Sequence, residues 1–250
     1  FKKNFRETGR YDEIQDFDSW KKSKLEEAGE LPGETEYITI EVPLKLNGGI
    51  SIRRYSAQPE APDFEHITCN GEPVIPGSSW NGAIQSGIRK ILKELGYENY
   101  RALMEDWFGS IKKGSVTGIS RASAVVFSES IICGAQKVPV TRNSINRFDA
   151  STKDGALYSE IAWFGGETTL EISVRKDESR RYKEFLSILR FVIQDIQEGY
   201  MSVGGQVSIG RGIFEKNGEV TVKGAGDSQY SSEALLETLE QQERRRQVTK

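Results

Sequence analysis

Several signals that usually announce a function are missing from this chain. No run of 18 apolar residues occurs in its 250 residues, which excludes a membrane-spanning helix. No signal-peptide pattern opens it. These absences predict a soluble, cytoplasmic protein without a membrane partner. Histidine occurs once and cysteine twice. Cys69 and Cys133 form no CxxC pair, so structural zinc is not expected and both thiols should stay reduced. Neither GxxxxGK with a following Ser or Thr nor GxGxxG is present, which removes the Walker and Rossmann readings. Net charge is low as well, at −3, too little for a protein coated by nucleic acid over its whole surface. The charge is unevenly spread: residues 1–36 carry 7 Lys and Arg against 10 Asp and Glu, residues 225–250 carry 4 against 5, and the middle is balanced at 23 against 22. A nucleic-acid site in the middle has to be a local groove of backbone N–H groups and a few placed cations.

What is present suffices for a core, with 36% of residues hydrophobic and 28% charged. Residues 1–36 read as an N-terminal helical extension or linker, since Ile14, Phe17 and Trp20 fall three apart. Residues 37–54 read as a first strand, with Ile38, Ile40 and Val42 on one face and Pro43 marking an edge or bulge. Residues 55–72 read as an irregular, acidic loop. Behind NGEPVIPGSSWNG, the residues Ala83, Ile84, Ile88, Ile91, Leu92 and Leu95 recur at helical spacing, and Ser78 or Ser79 is placed to cap that helix. ASAVVFSESIIC (122–133) is a strand candidate, and the long polar insertion 134–167, with Val138 and Val140 alternating, suggests a protruding hairpin. TTLEISVRK (168–176) alternates as a strand should. Residues 180–199 form a second amphipathic helix with Phe185, Ile188, Leu189, Val192 and Ile196 inward and Gly199 at its C-cap. A last strand follows near IFEKNGEVTVKG, and residues 225–250 end in a short helix.

Without the hairpin the order is βαββαβ. It predicts an α+β, ferredoxin-like (RRM-like) core over 37–224, with a β-hairpin insertion and helical extensions at both ends. Such a sheet covers one face with helices and leaves the other free, and a free face of this kind is where RNA-recognition modules bind single strands.

Two stretches carry anion-binding chemistry. In SVGGQVSIGRG, Gly204, Gly205, Gly210 and Gly212 surround Ser208 and Arg211; glycines let backbone N–H groups approach a phosphate, and Arg211 adds charge. The alternative is a glycine hairpin that only turns the chain. In IPGSSWNG, first-turn N–H groups at a helix N-terminus attract phosphate; the alternative there is plain N-capping.

PVIPGSSWNGAIQSGIRK, VTRNSINRFDASTKDGALY and GGQVSIGRG, in that order, resemble the RAMP superfamily of CRISPR-associated proteins, and within it the repeated backbone subunit of type III effector complexes. The resemblance covers about residues 37–224. It implies a subunit that lies along guide crRNA together with copies or relatives of itself and other effector subunits. It also implies a hairpin thumb, residues 136–157, that separates guide and single-stranded target RNA at six-nucleotide steps. On this resemblance Ser78, Ser79, Asn81, Arg89, Gly204, Gly205, Ser208, Gly210 and Arg211 line the guide, while Arg142 and Arg147 approach the kinked nucleotides. Asn81 and Gln85 stand where the family usually has Lys and Arg, with Arg89 and Lys90 one turn on.

Cleaving members carry an aspartate between the first strand and IPGSS, and Asp63 falls there. It would cut target RNA with Mg²⁺ or Mn²⁺ by holding the ion or orienting the 2′-hydroxyl. Glu60, Glu65 and His66 share the loop as rivals, and an acidic solvated loop without catalysis is the plainer reading. Three functions therefore stand: a guide-binding endoribonuclease subunit, a non-cleaving RAMP subunit, and an unrelated ferredoxin-like scaffold.

Overall fold

The computed structural model describes residues 36–55, 61–116, 118–153, 155 and 157–224. The helical readings of 1–36 and 225–250 lie outside them, Glu36 apart. In chain order the elements are β1 (Tyr37–Asn47), β2 (Gly49–Ile50), β3 (Arg53–Tyr55), β4 (Phe64–His66), β5 (Thr68–Cys69), β6 (Glu72–Ile75), α1 (Gly77–Glu94) and α2 (Tyr100–Phe108). There follow β7 (Val125–Phe127), β8 (Ser130–Ile131), β9 (Gln136–Arg142), β10 (Tyr158–Phe164), β11 (Glu167–Arg175), α3 (Tyr182–Gln197), β12 (Ile213–Lys216) and β13 (Thr221–Lys223). The class is α+β.

Alternation in YITIEVPLKLN makes β1 a strand with Ile38, Ile40, Val42, Leu44 and Leu46 buried on one face. It is an interior strand. The main sheet runs β12–β1–β11–β7, all antiparallel, and β13 also pairs with β1. Pro43, expected at an edge or bulge, lies within this sheet because its missing N–H falls where one neighbour gives way to the next. The strand β13 pairs with Thr39–Glu41 and β12 with Leu44–Asn47. Between them the Pro43 carbonyl accepts from the Asn217 N–H at 3.2 Å, so the ring removes no ladder bond.

The apolar face of this sheet and the two long helices share one core. The helix α1 buries Trp80, Ile84, Ile88 and Leu92, and α3 buries Phe185, Ile188, Leu189, Val192 and Ile196 among others. Each such side chain contributes roughly 1.5–3 kcal/mol. The Trp80 indole N–H donates to Ser130 Oγ at 3.1 Å, and Ser130 donates on to the Thr169 carbonyl at 2.8 Å, which satisfies the one polar atom of a fully buried ring. A Cβ at Gly77 would lie 2.2 Å from the Phe127 carbonyl oxygen. The glycine of the Pro-Gly-Ser-Ser corner therefore answers to packing against β7.

Other boundaries differ from expectation. The segment 122–133 is two strands, β7 in the main sheet and β8 pairing with β6. Within residues 55–72, expected as an irregular loop, lie β4, β5 and the first residue of β6. The helix α2, which buries Leu103, Met104 and Trp107, was not anticipated; a stripe barely two turns long is a weak signal. A second sheet centres on β10. The strand β9 pairs antiparallel along its whole length, making the expected hairpin, while β2 and β4 share the opposite edge and β3 continues from β4. No helix among the described residues is long and apolar enough to cross a membrane.

Candidate nucleic-acid interface

The corner before α1 is not capped as expected. Pro76 takes the N-cap position and no side chain, Ser78 and Ser79 included, bonds to a first-turn N–H. The Pro76 carbonyl accepts from the Ser79 and Trp80 N–H groups at 2.9 and 3.3 Å, and the Gly77 and Ser78 N–H groups have no acceptor behind them in the helix. Ser78 is exposed and Ser79 half-buried. One turn on, the Gln85 amide donates to Asn81 Oδ1 at 3.0 Å, so these two polar side chains are tied to one another. Arg89 and Lys90 are exposed, Lys90 with Glu94 at 4.0 Å. The Lys90 side of α1 faces Tyr200, Met201 and Ser202 across a cleft of about 620 Å³, which brings the helix beside the start of the Gly-rich loop.

That loop is held down largely by its own backbone. The Val203 N–H donates to the Gly212 carbonyl at 2.8 Å, Gly205 donates to the Ser51 carbonyl at 2.8 Å, Gly212 to the Gly49 carbonyl at 2.8 Å, and Gly210 to the Val207 carbonyl at 3.0 Å. Gly212 has φ of +72° and a Cβ there would meet the Val203 oxygen at 2.0 Å, so this glycine is obligatory for the turn. Gly204, Ser208 and Gly210 are exposed.

Arg211 stands apart from the expectation of a cation displayed at this loop. It is 2% exposed, and its Nη2 donates to Glu160 Oε1 at 2.9 Å. Glu160, on β10, is 1% exposed and also accepts from the Gln206 amide at 2.7 Å; Arg142 Nε lies 3.5 Å away. Burial lowers the Arg211 guanidinium's pKa and Glu160 opposes that shift, while Arg142 and Arg53 reinforce it. Arg211 Nη1 and Gln206 Oε1 have no partner among the described residues. A buried carboxylate needs such company to stay ionised. Glu160 thus ties the Gly-rich loop to the base of the hairpin, bringing Arg142 and Arg211 together. Arg147 is exposed in the hairpin connection, beside a Phe148 that is 99% exposed.

Sequence reasoning missed Glu160, which in YSEIAWF looks like any outward strand residue. Only its partners, distant in sequence, reveal it.

Asp63 is exposed, and its Oδ2 accepts from the Ser159 N–H at 2.7 Å and from Ser159 Oγ at 3.3 Å. It sits beside β10 next to the hairpin base. Among its rivals, Glu65 pairs with Arg54 at 3.1 Å, and Glu60 lies outside the described residues. His66 is excluded as a base by its surroundings. It is 1% exposed, its Nδ1 accepts from the Ile52 N–H at 2.9 Å, and its Nε2 therefore carries the proton and donates to the Val74 carbonyl at 3.0 Å. Burial brings its pKa down to about 4, against the pull of the Val74 bond. Among the described residues no three His, Cys, Asp or Glu side chains group as metal ligands. Among the described residues Asp63 thus has no companion metal ligands, and with these alone a divalent ion there would take phosphate oxygens of RNA as further ligands.

The outer face of the main sheet presents Thr39, Glu41 and Lys45 from β1 and Thr169, Glu171 and Ser173 from β11. Tyr37, 41% exposed, stands on the same face at the start of β1 and supplies a ring beside these polar side chains.

The model of the RAMP superfamily matches residues 60–215, more than half of the chain. The chain belongs to the RAMP superfamily. The matched span contains the corner, the hairpin and the Gly-rich loop of this RAMP chain. A search of curated proteins finds no match. Among solved structures, a chain from a cryo-EM structure of Type III-B Cmr-beta in the apo state aligns with a TM-score of 0.53 at 14% identity, covering 73% of this chain and 97% of that one. A chain of Type III-B Cmr-beta bound to cognate target RNA gives 0.52 at 15% identity, covering 84% of this chain and 66% of that one. At such identities the likeness is one of fold.

Proposed function

We propose that this RAMP protein is a backbone subunit of a type III CRISPR ribonucleoprotein. It holds guide crRNA along the corner of α1 and the Gly-rich loop, and uses the β9–β10 hairpin as a thumb against the guide–target duplex. The observation that carries the reading is the Glu160 cluster, which fixes the Gly-rich loop to the hairpin base and so makes one surface of two segments 46 to 51 residues apart in sequence. The strand order β12–β1–β11–β7 supports a ferredoxin-like core, being the fourth, first, third and second core strands in turn. Partners on this reading are crRNA, single-stranded target RNA and other effector subunits, copies or relatives of this chain among them.

Cleavage is the finer proposal. Asp63, with one oxygen held by Ser159, is oriented to bind a divalent ion bridged to an RNA phosphate or to receive a 2′-hydroxyl proton. Its engagement with Ser159 and the lack of grouped metal-ligand carboxylates among the described residues favour the second reading, a subunit that holds RNA without cutting it. The assembled complex decides between them. If Asp63 cuts, Asp63→Asn abolishes target cleavage in Mg²⁺ or Mn²⁺ while RNA stays bound. Cutting that persists in the variant overturns the Asp63 assignment, and an uncut target with the wild-type complex establishes the non-cleaving subunit. A complex assembled around this chain that carries no RNA overturns the proposal as a whole.

A further inference from the structure

The second sheet has a face that the motifs never pointed to. Register places Tyr55 opposite Phe64, Phe64 opposite Glu160, and Tyr158 opposite Arg142. Residues directly opposite across a ladder share a face, as do residues two apart in one strand. A row therefore crosses β3, β4, β10 and β9 on one side of the sheet, through Tyr55, Phe64, Tyr158 and Arg142, with Arg53 beside it.

The rings are in contact. Tyr55 and Phe64 lie edge to face at 5.3 Å between centroids, Phe64 and Tyr158 at 6.3 Å, and the Arg53 guanidinium sits 4.4 Å from the Phe64 centroid. Phe64 is half-buried among these neighbours, which fixes it, whereas Tyr55 remains 76% exposed and Arg53 exposed. A large ring held by a second ring and left open to solvent is a rigid, flat surface.

Charge points the same way. Arg142 and Arg211 lie 3.5 and 2.9 Å from Glu160, and Arg53 sits over the Phe64 ring. With Asp63 beside the row as a second carboxylate, three guanidinium groups stand against two carboxylates, which leaves one excess positive charge within a domain whose overall balance is close to neutral. Flat rings beside guanidinium groups are the combination that binds single-stranded nucleic acid: bases stack and phosphates pair. A protein partner would need a broader apolar area or matching carboxylates, and nothing in the row favours it.

We infer that Tyr55, supported by Phe64 and Tyr158 and flanked by Arg53 and Arg142, is a stacking site for an unpaired nucleotide of single-stranded RNA. It lies next to Asp63, which immediately precedes Phe64. The inference rests on the proposed RNA-binding function and adds to it a named stacking residue, Tyr55, in a row of rings that no motif pointed to.

The test uses the full chain and a single-stranded RNA of mixed sequence containing 2-aminopurine, whose fluorescence is quenched by stacking. Wild-type protein should quench it. Tyr55→Leu should abolish quenching and weaken binding about tenfold, the order expected for one stacked base. Tyr55→Trp should restore both, and Arg53→Ala should lower the salt slope of binding by about one contact. Because Tyr55 is mostly exposed, Tyr55→Leu should leave the urea midpoint unchanged, which separates lost stacking from lost fold. Wild-type binding with full quenching in Tyr55→Leu overturns the site and leaves the proposed function standing. Unchanged RNA binding together with loss of effector subunits from Tyr55→Leu also overturns it, making the row a protein interface. No RNA binding by the wild type, alone or in its complex, fails the underlying function itself.

Discussion

At the scale of single residues, burial decides which polar groups are free for chemistry. His66 was a tempting base because an ordinary imidazole titrates near neutrality, yet both ring nitrogens are committed to backbone and the ring is sealed in. Its folded pKa of about 4 lies below the ordinary 6.5, so between these values the unfolded chain binds a proton that the folded chain refuses. The stabilisation from keeping His66 neutral is full above pH 6.5 and is lost as pH falls towards 4. It amounts to about 3 kcal/mol in all, with a slope approaching 1.4 kcal/mol per pH unit inside that window. Urea midpoints measured across it should fall with acid in the wild type and fall less steeply in His66→Gln; equal slopes would assign the acid sensitivity to other groups. Arg211 teaches the same lesson from the cationic side. Its residue type and glycine neighbours were legible as an anion site, but its buried partner Glu160, 51 positions away, could not be read from local sequence. What was visible in GGQVSIGRG was the need for a tight turn; what was hidden was that the charge in it points inward.

At the scale of elements, the sequence spoke clearly where a pattern ran long and faintly where it ran short. The helices α1 and α3 were legible because their apolar stripes extend over four turns or more, and β1 and β11 because alternation persists through nine or more residues. The strands β4, β5 and β6 have two to four residues each, too few for a period to show, and their pairing depends on partners far along the chain. The same division applies to the glycines of α1. Gly77 abuts the Phe127 carbonyl, whereas a Cβ at Gly82 would meet nothing within 4 Å. Gly77→Ala should therefore destabilise the chain by about 1–3 kcal/mol through overpacking, and Gly82→Ala should stabilise it by roughly 0.5–1 kcal/mol by improving helix propensity. Opposite shifts of the urea midpoint are expected. A Gly77→Ala variant as stable as wild type would show that β7 yields freely and that the corner's glycine is kept for another reason.

At the scale of the whole molecule, the distribution of charge sets how RNA can be held. The central 37–224 region is nearly balanced and the flanks are acidic, so long-range attraction to a polyanion is weak and affinity must come from placed contacts. The exposed or half-exposed guanidinium groups on the proposed path are Arg53, Arg89, Arg142 and Arg147; Arg211 is spent internally on Glu160. Four phosphate contacts to a single strand correspond to a slope of about −3 in a plot of log affinity against log salt. The remaining affinity then resides in backbone donors at the α1 corner and in base stacking, both insensitive to salt, so binding should persist at ionic strengths that release a protein with a broad basic surface. A full-chain titration with single-stranded RNA over a range of salt measures this directly. A slope steeper than about −6 would require at least twice as many cationic contacts, and would move the RNA path off the groove formed by the corner, the Gly-rich loop and the hairpin base.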